Sequence, residues 1–304
     1  MGESYYPFKS EEAKEIYLAH YDEHAKHWPI ASESKMVDTS FGQTFVRVSG
    51  SENEPPLFLL PGDTENSLSW IPLIATLSED YRTYALDHVF DYGRSIDTSP
   101  MKKPDDFVQW LDELFSALEL KNINLMGYSY GGWQASLYAL AFPERLNKLV
   151  LLAPANTVVF SGAKVIVRAI LYSLFPTPFI VRRYLYWSMA DAVKKNKTSR
   201  RIIDNMIDEL LLAKRCFKSR KFIWPKVLSD EDWKNLSVPT LFMVGENDVF
   251  VSAGKSVRRL NRVVPEIKTV VVHDAGHDLS IVQTELVASK VLSFLNNTAR
   301  RCIP

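Results

Sequence analysis

The sequence predicts a doubly wound α/β fold, in which a mostly parallel sheet is covered by helices on both faces. Short apolar runs such as LFLL, INLM and KLVLL alternate with amphipathic helical segments along most of the chain. One interruption, residues 155–235, is rich in aromatic residues and carries 16 Lys or Arg against 7 Asp or Glu. We therefore expect a helical cap at 155–235, inserted after the sixth expected strand, and a core formed by residues 1–154 and 236–304.

The composition of the 304-residue chain indicates a globular protein and argues against several classes of partner. Hydrophobic residues make up 46% of the chain, and 36 basic residues balance 36 acidic ones, which disfavours nucleic-acid binding. Cys216 and Cys302 lie far apart without a Cys/His cluster, so we expect free thiols and no metal site. The start of the chain lacks the pattern of a signal peptide, and prolines interrupt the apolar stretch Ala169–Val181. These features predict a cytoplasmic protein without stable membrane insertion.

The elements of the fold follow in order from the N-terminus. The first patterned segment predicts a helix that docks onto the core, with Ser10 as its N-cap and Ile16 and Tyr21 at helical spacing. Two β-rich runs joined at Phe41-Gly42 indicate an antiparallel hairpin. Strands and helices alternate from Leu57 onward, and after the cap the order resumes with TLFMV, a helix, TVVV and a last helix. Ligands bind at the carboxyl edge of such a sheet.

The segment GYSYG, residues 127–131, is the strongest chemical signal in the chain. It has the form G-x-S-x-G and lies between the apolar run INLM and the helical segment GGWQASLYALAF. A serine in such a sharp strand-to-helix turn exposes its hydroxyl above the sheet, and the glycines allow chain and helix to approach closely. Ser129 is therefore the candidate nucleophile. The alternative interpretation is a tight turn that merely contains a serine.

A serine nucleophile needs a base and an orienting acid, and both can be placed after later strands. His277 is the candidate base because it follows a β-rich run in a glycine-containing loop; the other five histidines are expected to be structural or solvated. Asp248, in the loop after TLFMV, is the candidate acid. Glu246 in the same loop, Asp63 and Asp87 remain alternatives.

The chain order Ser129, Asp248, His277, each after a successive strand, resembles the α/β-hydrolase fold family. Within it, the segments FGQT at 41–44, YRTYALD and DHVFDYGRSI resemble the bacterial carboxylesterase branch that includes naproxen esterase. The resemblance implies a serine hydrolase that cleaves carboxylic esters through an acyl-enzyme, without metal or organic cofactor. A lactonase, thioesterase, amidase, carbon–carbon hydrolase or cofactor-free haloperoxidase, or a non-catalytic ligand receptor on the same fold, remains an alternative.

The loop after the third expected strand, LLPGDTENS, is expected to form part of the oxyanion hole. The resemblance implies that the backbone N–H groups of Tyr130 and Asp63 stabilise the oxyanion, and that Gly62 and Tyr128 contact substrate. Pro61 stands where many relatives have histidine. The Asp63 carboxylate would oppose an oxyanion unless it points away, caps the next helix or pairs with a cation. We expect Asp63→Ala to preserve or raise ester hydrolysis.

The composition of the cap suggests what the site binds. The segment Val165–Trp187 has more apolar side chains than one helix face can use, which predicts a small-molecule ester substrate with a lipophilic or aromatic acyl group. Three basic clusters, 194–197, 200–201 and 214–221, could attract an anionic substrate or membrane surface, although such clusters are more often solvated helix faces. The oligomeric state is not indicated by the sequence.

Overall fold

The computed structural model describes residues 6–297, and a sheet of nine strands forms the centre of this part of the chain. Neighbouring strands lie in the order β1-β2-β4-β3-β6-β7-β8-β9, and β5 pairs with β2. The strands are β1 (Ser32–Thr39), β2 (Gly42–Ser49), β3 (Pro56–Leu60), β4 (Arg82–Leu86), β5 (Ile96–Asp97), β6 (Ile123–Tyr128), β7 (Leu146–Leu152), β8 (Thr240–Gly245) and β9 (Lys268–Val272).

The pairing of the strands confirms the predicted fold class. From β4 to β9 along the sheet every neighbouring pair is parallel, whereas β2 runs antiparallel to β1, β4 and β5. Leu60 of β3 pairs with Gly127 of β6, and Tyr128 pairs with Leu152 of β7, so these strands end at one level. The loops that follow them therefore meet at the same edge. The two-residue strand β5 is an addition that the apolar pattern did not predict.

Helices cover both faces of the sheet and bury two apolar layers against it. Five of them, α5 to α9, lie between β7 and β8, which are the sixth and seventh of the predicted strands. The helices are α1 (Glu11–Ala25), α2 (Ile71–Asp80), α3 (Pro104–Ala117), α4 (Tyr130–Ala141), α5 (Ala163–Leu174), α6 (Pro178–Ser188), α7 (Ala190–Lys195), α8 (Lys197–Cys216), α9 (Asp230–Asn235), α10 (Ala253–Val263), α11 (Leu279–Val282) and α12 (Thr284–Leu295).

The N-terminal helix α1 packs on the rest of the molecule, with one change from the predicted face. The Ser10 hydroxyl accepts a hydrogen bond from the backbone N–H of Ala13 and caps the helix as predicted. Tyr17 and Tyr21 are its buried residues, whereas Ile16 is 41% exposed. Because Tyr17 and Tyr21 are four residues apart, they form one stripe, and Ile16 lies beside it.

Two further expectations concern membrane insertion and cysteines. Within residues 6–297, the helices are all too short or too polar to cross a bilayer. Cys216, at the end of α8, is a buried free thiol. Cys302 and the outermost residues of the expected core, 1–5 and 298–304, lie outside the described residues.

Candidate active site

Ser129 lies at the sharp turn between β6 and α4, with backbone angles of φ 51° and ψ −114°. The turn leaves no room for a side chain two residues before or two residues after the serine. A Cβ on Gly127 would lie 2.3 Å from the carbonyl oxygen of Gly131, and a Cβ on Gly131 would lie 2.4 Å from that of Leu60. Glycine is thus required at both positions, and the packing holds the serine hydroxyl at the carboxyl edge of the sheet.

His277 lies between the other two candidate residues. Its Nε2 is 2.9 Å from Ser129 Oγ, and its Nδ1 is 2.8 Å from Asp248 Oδ2. The second carboxylate oxygen of Asp248 accepts hydrogen bonds from the backbone N–H groups of Phe250 and Val251, at 2.8 and 2.9 Å. The side chain of Asp248 is 0% exposed and that of His277 is 5% exposed. The loops after β6, β8 and β9 therefore bring together the three side chains that the sequence singled out.

The charge balance around His277 favours its protonated form. Burial disfavours the imidazolium, but the carboxylates of Asp248, Glu65 and Asp278 outweigh burial and raise the pKa of His277 above its ordinary value. Such an imidazole takes up a proton readily when the serine hydroxyl loses one. The arrangement is therefore suited to general base chemistry.

The alternative acids after β4 and β8 have other partners. Glu246 interacts with the exposed ring of His273, at 3.1 Å, rather than with His277. Asp87 is fully buried and accepts hydrogen bonds from two backbone N–H groups and a tyrosine hydroxyl. Of the four carboxylates considered from the sequence, Asp248 is the one that contacts the imidazole.

The carboxylate of Asp63 is paired with a cation from the cap. Arg220 Nη2 lies 2.7 Å from Asp63 Oδ1 and 3.0 Å from Asp91 Oδ1. Asn66, not Asp63, caps the following turn, by accepting from the backbone N–H of Leu68. Arg220 belongs to the basic cluster 214–221, and its side chain is only 18% exposed. The interpretation of that cluster as a solvated face is wrong for this residue.

Within the described chain, the backbone N–H of Gly62 in the loop after β3 donates a hydrogen bond, whereas that of Asp63 does not. Glu65 Oε2 accepts a hydrogen bond of 3.1 Å from the N–H of Gly62. Within residues 6–297, neither the N–H of Asp63 nor that of Tyr130 has an acceptor. Burial raises the pKa of Glu65 to about 7.

Tyr128 donates its hydroxyl proton to the carbonyl oxygen of His277, at 2.8 Å, and so supports the loop that carries the imidazole.

Aromatic side chains of α5, of α6 and of the loop after β8 lie in a row that ends at His277. The ring of Phe250 packs edge-on against the imidazole, with centroids 4.7 Å apart. Trp187 and Tyr184 of α6 lie 5.6 and 6.1 Å from Phe250, and Tyr184 stacks on Tyr172 of α5 at 4.5 Å. These four rings form an apolar wall that leads from the cap to the imidazole.

Other histidines have contacts of their own. His88 is buried, with its Nε2 2.7 Å from Gln134 Nε2, and burial lowers its pKa well below the ordinary value. His24 of α1 pairs with Glu209 of α8 at 3.1 Å. In the described part of the chain, no three His, Cys, Asp or Glu side chains lie together in a group that could hold a metal ion.

Comparison with known proteins shows the family of the chain. The family model of the alpha/beta hydrolase fold matches residues 55–284. This chain belongs to the α/β-hydrolase family. The carboxylesterase YbfK of Bacillus subtilis is 33% identical to this hydrolase over 275 residues, which are 90% of this chain and 92% of YbfK.

Two solved structures from Bacillus subtilis share its architecture. That of the carboxylesterase CesB (YbfK) has a TM-score of 0.82 and 32% identity, and covers 93% of this hydrolase and 98% of the matched chain. That of naproxen esterase has a TM-score of 0.85 and 29% identity, and covers 95% and 100%. The resemblance to this carboxylesterase branch is confirmed.

Several site residues of the hydrolase escaped the sequence analysis. Glu65, Arg220 and Phe250 contact predicted site residues, and Asp91 contacts Arg220. None of the four follows a recognised motif. The segment DHVFDYGRSI, which contains Asp91, indicated the carboxylesterase branch but no role in the site. Arg220 is one of five basic residues among the eight at 214–221, and no signal in the sequence distinguished it from the others.

Proposed function

We propose that this α/β-hydrolase cleaves carboxylic esters, with Ser129 as nucleophile, His277 as general base and acid, and Asp248 as the orienting carboxylate. The observation that carries the proposal is the continuous hydrogen-bonded line from Ser129 Oγ through the imidazole to Asp248. The relatives that cover nine-tenths of the chain bear the name carboxylesterase, which supports esters as the substrate class.

The reaction follows from the positions of these atoms. Ser129 Oγ adds to the ester carbonyl carbon while Nε2 of His277 takes the hydroxyl proton. The tetrahedral intermediate expels the alcohol, which receives that proton, and the acyl group stays on Ser129. His277 then takes a proton from water, whose oxygen attacks the carbonyl carbon of the acyl-enzyme. The bond to Ser129 breaks, His277 returns the proton to Ser129 Oγ, and the carboxylic acid leaves. Asp248 keeps Nδ1 protonated and stabilises the imidazolium in both halves of the reaction.

The oxyanion requires donors that are already in place, and we assign the N–H groups of Asp63 and Tyr130 to this role. Both amides lack an acceptor within the described chain. Tyr130 directly follows Ser129, and the loop that carries Asp63 packs on the same turn, since a Cβ on Gly131 would lie 2.4 Å from the carbonyl oxygen of Pro61. Each such donor contributes about 3 to 4 kcal/mol to stabilising the transition state. The pairing of the Asp63 carboxylate with Arg220 supports the assignment, because it offsets the negative charge beside the oxyanion.

The apolar wall supports a lipophilic or aromatic acyl group as the part of the substrate nearest the cap. We place residues 155–235 as the cap that encloses this group, over a core of residues 1–154 and 236–304. Aromatic rings at 4.5 to 6.1 Å spacing offer faces and edges that favour apolar and aromatic ligands. Hydrolysis rates of p-nitrophenyl esters that rise from acetate to longer or aromatic acyl groups support this assignment, whereas a steady fall from acetate contradicts it.

A panel of esters, thioesters, lactones and amides tests the activity, with Ser129→Ala as the blank. We expect ester hydrolysis in the wild type, none above background in the variant, and labelling of Ser129 by a fluorophosphonate probe. Folded wild-type protein that is neither labelled nor active on any ester would show that the fold serves as a ligand receptor instead. Labelling that survives Ser129→Ala would mean that another residue is the nucleophile.

A further inference from the structure

One short segment of the cap, Arg220–Ile223, contacts both residues whose backbone amides we assign as oxyanion donors. It lies in the irregular stretch between α8 and α9. Arg220 pairs with the carboxylate of Asp63 at 2.7 Å, and the carbonyl oxygen of Ile223 accepts the hydroxyl proton of Tyr130 at 2.7 Å. One contact is an ion pair between side chains and the other is a hydrogen bond to main chain, so a different substitution removes each of them.

The ion pair belongs to a closed ring of contacts around the loop after β3. Arg220 Nη2 also lies 3.0 Å from Asp91 Oδ1, and Asp91 Oδ2 accepts the backbone N–H of Thr64 at 2.9 Å. Thr64 has φ 63°, a left-handed conformation that a threonine adopts only when its surroundings hold it. Residues 63 and 64 are thus fixed from two sides, one through a side chain and one through the backbone.

The guanidinium of Arg220 is held in a fixed orientation. It lies 5.1 Å from the ring centroid of Phe90 and 5.4 Å from that of Tyr92, the two neighbours of Asp91. An arginine that stacks on rings and pairs with carboxylates while mostly shielded from water has few alternative positions. The two rings and the Asp91 carboxylate all belong to the segment DHVFDYGRSI.

The second contact acts on the residue after the nucleophile. Tyr130 begins α4, its ring packs against that of Phe222 at 5.1 Å, and its hydroxyl reaches Ile223. The side chain of Tyr130 is buried, so the cap and the first turn of α4 share one packed contact.

We propose that the cap segment Arg220–Ile223 assembles the oxyanion hole by holding Asp63 and Tyr130 in the positions from which their backbone amides stabilise the transition state. Arg220 and Tyr130 Oη act as positioning groups, and docking of the cap completes the site. Donors of this kind work only when they are fixed beforehand, since small misplacements of reacting or stabilising groups greatly reduce rate. The inference rests on the proposed ester hydrolysis.

The test removes each contact without touching the backbone amides. Arg220→Met removes the ion pair, Tyr130→Phe removes only the hydroxyl, and the double variant removes both. We expect each single variant to lower kcat about 10- to 100-fold with KM little changed, because the loss falls on the transition state. The inhibition constant of a trifluoromethyl ketone, whose adduct with Ser129 carries an oxyanion, should rise by a similar factor.

The chain offers a matched control on the same helix. Tyr138 of α4 donates its hydroxyl to Asp112 at 3.0 Å, and Arg145 pairs with the same carboxylate at 2.6 Å. Tyr138→Phe and Arg145→Met therefore remove the same chemical groups at a place that does not contact the cap. Thermal unfolding of all variants separates lost stability from lost positioning.

Different results of these measurements support the inference, overturn the inference alone, or overturn the proposed function. A fall in kcat that is confined to the cap-contact variants, is partly rescued by Arg220→Lys and is matched by weaker ketone inhibition supports the inference. Variants that keep kcat within threefold of an active wild type, or that lose it only in step with thermal stability as the controls do, overturn the inference and leave the esterase proposal intact. An inactive, unlabelled wild type instead overturns the proposed function, and with it the inference.

Discussion

The core side and the cap side of the candidate active site are built on different principles. On the core side, Ser129, Asp248 and His277 lie on short loops after parallel strands, so the sheet places them at one edge. On the cap side, Arg220 and Ile223 lie in an irregular stretch and reach Asp63 and Tyr130 through long-range contacts. We therefore infer that the core supplies the reacting atoms and that the cap holds the groups around them in place.

Loss of the core-side nucleophile or base is expected to have the largest effect. Ser129→Ala and His277→Ala should each lower kcat about 10⁵- to 10⁶-fold, since the residues act as one unit. Ester hydrolysis at saturating substrate measures this effect, with circular dichroism to confirm folding. Activity within tenfold of the wild type in either variant would move the chemistry away from the core edge and remove the contrast between the two sides.

Replacement of the orienting acid should come next in size. Asp248→Asn is expected to lower kcat about 10⁴-fold, because the amide favours the wrong tautomer of His277 and cannot stabilise the imidazolium. Glu246→Gln is the matched control, since Glu246 pairs with the exposed His273. Stopped-flow measurement of acyl-enzyme formation compares the two. Near-full activity in Asp248→Asn would contradict the assignment of the acid.

Asp63 connects the two sides, and its ion pair changes what we expect of its removal. The sequence led to the expectation that Asp63→Ala preserves or raises ester hydrolysis, on the premise that an unpaired carboxylate opposes the oxyanion. Because Arg220 pairs with this carboxylate, we now expect a fall in kcat of about tenfold, through loss of positioning. Steady-state kinetics distinguish the two expectations. A loss as large as that of Ser129→Ala would show that the carboxylate itself is catalytic.

The smallest expected effect is a shift in pH dependence. The negative charge of Glu65 is one of the charges that raise the pKa of His277, whose neutral form acts as the base. Glu65→Gln removes that charge and lowers the pKa of His277, so the acidic limb of kcat/KM should move to lower pH.

Glu246→Gln serves again as the control, because it removes a charge that does not face the imidazole. The groups facing Glu65 are His277, the Asp63 carboxylate, the Ser69 hydroxyl and the Gly62 amide. An acidic limb that stays in place, or one that moves to higher pH in Glu65→Gln, would show that Glu65 does not act on the base.

The sequence revealed the site residue that depends on a local pattern, and it did not reveal those that depend on contacts made only in the folded chain. Ser129 could be recognised because a sharp turn needs glycines two residues to either side, which is a local pattern. The partners of Asp63 could not, because Arg220 is 157 residues away and lies in a cluster of similar basic residues. Glu65 sits in a polar loop where any carboxylate would be expected to face water, and only the folded chain turns it towards His277. The fold class was readable because continuous apolar strands alternate with helices over most of the chain.

The backbone conformation of Ser129 also lowers the folding stability of the protein. A residue in so unfavourable a backbone conformation costs about 1 to 3 kcal/mol, against a net folding free energy of about 5 to 15 kcal/mol for a typical domain. Three main-chain hydrogen bonds of 2.9 to 3.0 Å enforce it, from Ser129 to Leu152 and from Gly132 and Ala155 to Ser129. The rest of the fold must therefore supply additional stabilisation that offsets this cost, so that Ser129 is held in the conformation that exposes its hydroxyl.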